Sequence, residues 1–137
     1  MKAFHHVTIL TFEPEPLLEV LRHSIGLPLV QEFVAPGDTF ATLLKVPEAG
    51  DVRCWIVGHG NSGLIEVCQL HESLRGQVEP GPRLLVFTAR NLQEVIEACA
   101  SRDGIAVTGP VEVPALDMTS VVVSAGGADL EFVNFAR

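Results

Sequence analysis

Two stretches of this chain repeat one arrangement, and the repeat limits the fold more than any other feature. Ser62 to Leu70, SGLIEVCQL, sets one carboxylate, Glu66, inside a run of strand-forming residues; Ala128 to Phe135, ADLEFVNF, does the same with Glu131, and Leu130 stands in the place of Ile65. Alternate side chains of a strand share a face, so Glu66 shares its face with Leu64, Cys68 and Leu70. Those neighbours are too apolar for a solvent face, which places the acid in an interior or a cavity. A carboxylate there is costly when ionised, and two facing one cavity ask for a metal, a shared proton or a general-base task.

The elements leading up to each copy repeat as well. Phe4 to Leu10 reads as a strand with His6, Thr8 and Leu10 on one face, and a helix follows the Pro14 and Pro16 turn. Pro16 suits its first position, Leu17, Leu18, Leu21 and Ile25 form its apolar stripe, and Gly26 ends it. Strands are then expected at Leu29 to Val34, after an Ala35–Asp38 turn at Thr39 to Val46, and at Val52 to Val57, with a glycine-rich hairpin from Gly58 to Gly63. His71 to Pro82 is polar, holds two glycines and two prolines, and reads as a linker. The order then restarts: a strand from Arg83 to Ala89, an N-cap at Asn91, and a helix carrying Leu92, Val95, Ile96 and Cys99. Strands at Ile105 to Val107, Val111 to Pro114, Thr119 to Ser124 and Leu130 to Phe135 complete the copy. The division is a first module over residues 1–70, a linker over 71–82 and a second module over 83–137. Neither half can cover both faces of its own sheet, so two sheets must curve together, within one chain or between two.

Composition excludes several classes of function. At 137 residues with 47% hydrophobic and 19% charged side chains, the chain has the make-up of a folded domain, and its apolar runs are too short for a membrane span. Nine basic residues against 17 acidic ones, a net charge of -8, with no basic cluster, disfavour nucleic acid and anionic membrane as partners. Three cysteines without metal-like spacing fit a reducing cytoplasm.

Four local patterns in this order resemble the vicinal oxygen chelate superfamily of glyoxalase I, bleomycin-resistance proteins and extradiol dioxygenases. They are FHHVTI at Phe4–Ile9, VLRHSIGL at Val20–Leu27, GLIEV at Gly63–Val67 and DLEF at Asp129–Phe132. The resemblance implies an α+β fold, two βαβββ modules forming curved mixed sheets around a cavity, and a homodimer. It also implies a divalent ion, Zn, Ni, Mn or Fe, held by His6, Glu66 and Glu131. A fourth ligand belongs just before the apolar run of the second module, where Leu84 stands instead, and a leucine cannot coordinate an ion. His71 is the one alternative for that ligand.

Two functions follow from the resemblance and both stay open. One is a metal-assisted lyase or isomerase acting on a small oxygen-bearing substrate, with Glu131 or Glu66 shuttling a proton. The other is a metal-free small-molecule binding protein of the bleomycin-resistance type. Cys68 shares the face of Glu66 but reads as a small core residue, Trp55 reads as core, and His59 and His71 read as solvated.

Overall fold

In the computed structural model, which describes residues 2–135, eight strands form one sheet in the order β2-β3-β4-β1-β5-β8-β7-β6. The module ends at Met1, Ala136 and Arg137 lie outside the described residues. The first half holds β1 (Lys2–Thr11), α1 (Pro14–Glu19), β2 (Leu29–Ala35), α2 (Gly37–Leu44), β3 (Val52–Val57) and β4 (Leu64–Gln69). The second holds β5 (Gly81–Ala89), α3 (Leu92–Ala100), β6 (Ile105–Val113), β7 (Met118–Ala125) and β8 (Ala128–Phe135). Strand order 2-3-4-1 in one half mirrors 5-8-7-6 in the other. The halves join edge to edge through the antiparallel pair β1–β5, so one chain completes the sheet.

The pairing registers make the repeat exact enough to equate residues. Thr8 pairs with Glu66 across the parallel strands β1 and β4, and Val86 pairs with Glu131 across β5 and β8. Thr8 and Val86 therefore occupy equivalent positions. Two residues earlier in each strand, His6 and Leu84 do the same. On the hairpin partners, Cys54 opposite Cys68 corresponds to Ser120 opposite Val133.

Alternation along these strands builds two layers. One face joins Leu10, Cys54, Cys68, Leu84, Val86, Val122 and Val133 to Phe40, Leu43 and Leu44 of α2 in the largest apolar cluster. On the other face, α1 and the π-helical turn that continues it over Val20–Ser24 cover Trp55, Val57 and Val67, while α3 covers Val121 and Val123. Asn91 caps α3 by accepting from the Glu94 N–H at 3.1 Å. Trp55 is core, its Nε1 donating to Glu32 at 3.1 Å on the side away from the cavity.

Four local expectations need correction. Thr39–Val46 is no strand: α2 runs from Gly37 to Leu44, because Phe40, Leu43 and Leu44 fall at helical spacing and bury against the inner face. Its start sits so close to Gly50 that a Cβ on Gly37 would lie 2.5 Å from the Gly50 carbonyl oxygen, and the Gly37 N–H donates to Asp51 Oδ1 at 3.0 Å. Helix α1 begins at Pro14, two residues early, with both prolines in its first turn. Ile25 leaves the apolar stripe at 62% exposure, because the chain has widened into the π-turn by then. The last two segments expected before β7 are one strand, β6, interrupted only by a register shift between Thr108 and Val111.

Candidate functional site

The inner face encloses a cavity of about 430 Å³ that draws on both modules. Strands β1 and β4 bring in His6, Thr8 and Glu66, β5 brings Leu84, and β8 brings Glu131, while α2 roofs it with Phe40, Leu43 and Leu44. All three residues that the resemblance implies as ligands therefore face one space. His71 does not: it is exposed, caps a short turn by accepting from the Ser73 N–H at 3.1 Å, and lines a separate small hollow.

In the first module the polar groups are tightly engaged. His6 Nε2 stands 3.3 Å from Glu66 Oε1, the Thr8 hydroxyl donates to the same oxygen at 2.9 Å, and His6 Nδ1 meets His5 Nδ1 at 2.7 Å. Burial alone would raise the Glu66 carboxyl. The hydrogen bond and charge of His6, with bonds from Thr8 and Cys68, outweigh that and hold it below its ordinary value. Glu66 is therefore an anion at neutral pH. Burial, helped by the neighbouring His6, pulls the His5 imidazole down against the opposing pull of Glu66.

Glu131 is set differently. It is 6% exposed, and among the described residues its one side-chain partner is the Ser120 hydroxyl, which donates to Oε2 at 2.5 Å. Burial dominates here; with the repulsion of Glu66 it outweighs Ser120 and His6 and pushes the carboxyl up to about 7. Two glutamates at equivalent places thus carry different protons at neutral pH. The cause is what surrounds each of them.

His6 Nε2 and Glu66 Oε1 are spaced as neighbouring ligands of one ion, since two donors at 2.0–2.2 Å from a metal lie about 3 Å apart. That pair fits a divalent ion. Leu84, where the resemblance implies a further ligand, is 2% exposed and packed in the apolar cluster. Among the described residues, one group of three potential ligands has donor atoms within 4.8 Å of one another: Cys54, Glu66 and Cys68. Cys68 does line the cavity beside Glu66, and its hydrogen bond with Cys54, together with burial, pushes its thiol up. It is no ready nucleophile.

Thr8, Ser120 and Cys54 were not singled out from sequence as site residues, yet a signal for Cys54 existed. Closing the Gly58–Gly63 hairpin between Val57 and Ile65 sets Cys54 opposite Cys68.

The paired modules and the cavity between them have the glyoxalase-like fold. Among solved structures, methylmalonyl-CoA epimerase from Mycobacterium tuberculosis is similar at a TM-score of 0.73, with 18% identity over 98% of this chain and 89% of that one. A hypothetical protein from Bacillus halodurans is similar at 0.71, with 15% identity over 99% and 96%. A glyoxalase I from Zea mays aligns at 0.65 with 13% identity, over 97% of this chain but only 43% of its own length. In sequence, no family model and no curated protein matches the chain. No helix among the described residues is long and apolar enough to cross a membrane.

Proposed function

We propose that the protein catalyses proton transfer at a carbon next to an oxygen-bearing group of a small substrate, as an isomerase or lyase, with Glu131 as the acid–base residue. The observation that carries this reading is the Glu131 carboxyl, lifted by burial to about 7 while facing the cavity. A group half-protonated at neutral pH can take a proton from carbon and return it, which is the balance that acid–base catalysis favours. Ser120 fixes the carboxyl's orientation, and Leu84 with the roof of α2 keeps water from it. Glu66, held ionised by His6 and Thr8, is the weaker base and the better holder of positive charge. His6 and Glu66 would hold a divalent ion, which when bound supplies Lewis acidity towards a substrate oxygen. The homodimer that the resemblance implies is part of this proposal, and sedimentation of the protein tests it.

The named structural neighbours supply the first probe. Methylmalonyl-CoA carries an acidic carbon beside a thioester, and a methylmalonyl-CoA epimerase has been solved with that compound bound. Incubated in deuterated water with methylmalonyl-CoA and then with a series of 2-oxo acids, the protein is expected to exchange the carbon-bound proton of at least one. Glu131→Gln is expected to lose that exchange. If nothing exchanges above the uncatalysed rate, with or without added Zn(II) or Ni(II), the catalytic reading fails.

Leu84 favours a second reading, binding without chemistry, because it gives the cavity an apolar wall at the place of a ligand. That reading expects an organic ligand to raise the melting temperature in the presence of a chelator. Stabilisation that needs metal would count against it.

A further inference from the structure

Two cysteines of the first module are left unused by the proton-transfer reading. Cys54 of β3 and Cys68 of β4 face each other in register, each 1% exposed, with sulfurs 3.2 Å apart. Glu66 lies two residues from Cys68 on the same face, and one donor atom from each of the three lies within 4.8 Å of the others. All three line the cavity, so an ion has a route to them. A cysteine buried in a strand is ordinarily a small apolar filler. Three features set this pair apart: the thiols oppose each other, they adjoin the Glu66 carboxyl group, and the repeated fold does not require them. The equivalent places in the second module hold Ser120 and Val133.

The donor set is also chemically distinct from an imidazole with carboxylates. Two thiols and one carboxylate suit a soft or borderline d10 ion over Mg(II) or Mn(II). Tetrahedral Zn(II) with sulfur at about 2.3 Å sets its two sulfurs about 3.8 Å apart. Opening the thiols from 3.2 Å to that distance is a side-chain adjustment on two strands already aligned.

We propose that Cys54, Cys68 and Glu66 form a site for a thiophilic d10 ion, Zn(II) or Cd(II), with its fourth position open to the cavity. Binding releases two thiol protons to solvent per ion, and no electrons move. The site shares Glu66 with the His6–Glu66 pair, but it stands on the two sulfurs and is independent of any role for Glu131.

Cadmium titration of the whole, phosphine-reduced chain tests this, because thiolate-to-cadmium charge transfer absorbs in the ultraviolet. One equivalent of Cd(II) is expected to saturate the band. Cys54→Ser and Cys68→Ser should each diminish the band and weaken binding by at least about 10- to 100-fold, the loss that removing only a ligand's outer partner already causes. Cys99→Ser, on α3 at the opposite face, should change neither. For cysteine variants that do not fold, cadmium-113 NMR of the unaltered protein reads sulfur ligation directly. A wild-type complex without the band, or a resonance reporting only nitrogen and oxygen ligands, overturns the proposal. So does binding that survives both cysteine substitutions unchanged and is lost in His6→Ala.

Discussion

The two modules share a backbone plan and differ at four of five equivalent positions around the two glutamates. The first presents His6, Thr8, Cys54, Glu66 and Cys68; the equivalent places of the second hold Leu84, Val86, Ser120, Glu131 and Val133. Five polar or metal-ligating side chains thus face two polar ones and three aliphatic ones. Their connections differ too, since the first links β2 to β3 through α2, while the second links β6 to β7 through the short turn Pro114–Leu116. The lesson lies in the glutamates. Glu66, among donors, is held as an anion; Glu131, among aliphatic side chains with one hydroxyl, keeps a proton to about 7. Local surroundings divide one repeated carboxylate into a charge holder and a proton carrier.

The sharpest way to break this comparison is to remove the proton carrier. Glu131→Gln is expected to lower substrate proton exchange by about 10²- to 10⁴-fold, the usual worth of a positioned acid–base group. An equal loss in Glu66→Gln with no loss in Glu131→Gln would reverse the assignment. Next in size is a change that makes the modules more alike. Leu84→His should cost about 3–5 kcal/mol of stability without metal, since it removes a buried aliphatic group and buries an imidazole. Added Zn(II) or Ni(II) should then raise the melting temperature more than it does in the unaltered protein. If it does not, the Leu84 position does not reach the His6–Glu66 pair.

Stability against pH gives a third test with a definite sign. The Glu131 carboxyl is raised from 4.5 to about 7 in the fold, so folding favours its protonated form. That contribution is complete below pH 4.5 and is lost as pH rises to about 7, at a total of about 3 kcal/mol from 1.36 kcal/mol per pKa unit. Urea unfolding across this range should show Glu131→Gln escaping the decline and exceeding the unaltered protein above pH 7. The smallest effect belongs to Ser120→Ala, which removes the hydrogen bond that lowers the Glu131 carboxyl. Stability should fall by about 1 kcal/mol. The pH midpoint of exchange should move upward and return in Ser120→Thr, which a purely structural role would not produce.

Much of this contrast was legible in the sequence, and the reason is the repeat. Two glutamates in matching strands marked the fold and its cavity, and the family resemblance pointed to Leu84 as the place where a ligand is missing; that His6 is its counterpart came from the strand registers. What stayed hidden depends on contacts between distant segments. The strand-like composition of Thr39–Val46 gave way to α2 because Phe40, Leu43 and Leu44 have an apolar roof to fill, and no local signal states that the roof is open. The different protons on Glu66 and Glu131 arise from Thr8 and Ser120, which lie 58 and 11 residues away from them in the chain. Cys68 read as a small core residue, and the hairpin register that sets its sulfur against that of Cys54 was a legible signal left unused.

Carbon-13 NMR of the glutamate side-chain carboxyls, followed against pH and assigned through Glu66→Gln and Glu131→Gln, tests the asymmetry most directly. It is expected to show Glu66 titrating below its ordinary value and Glu131 near 7 in the same sample. Two glutamates titrating together near 4.5, or in the opposite order, would contradict the division of roles between the modules.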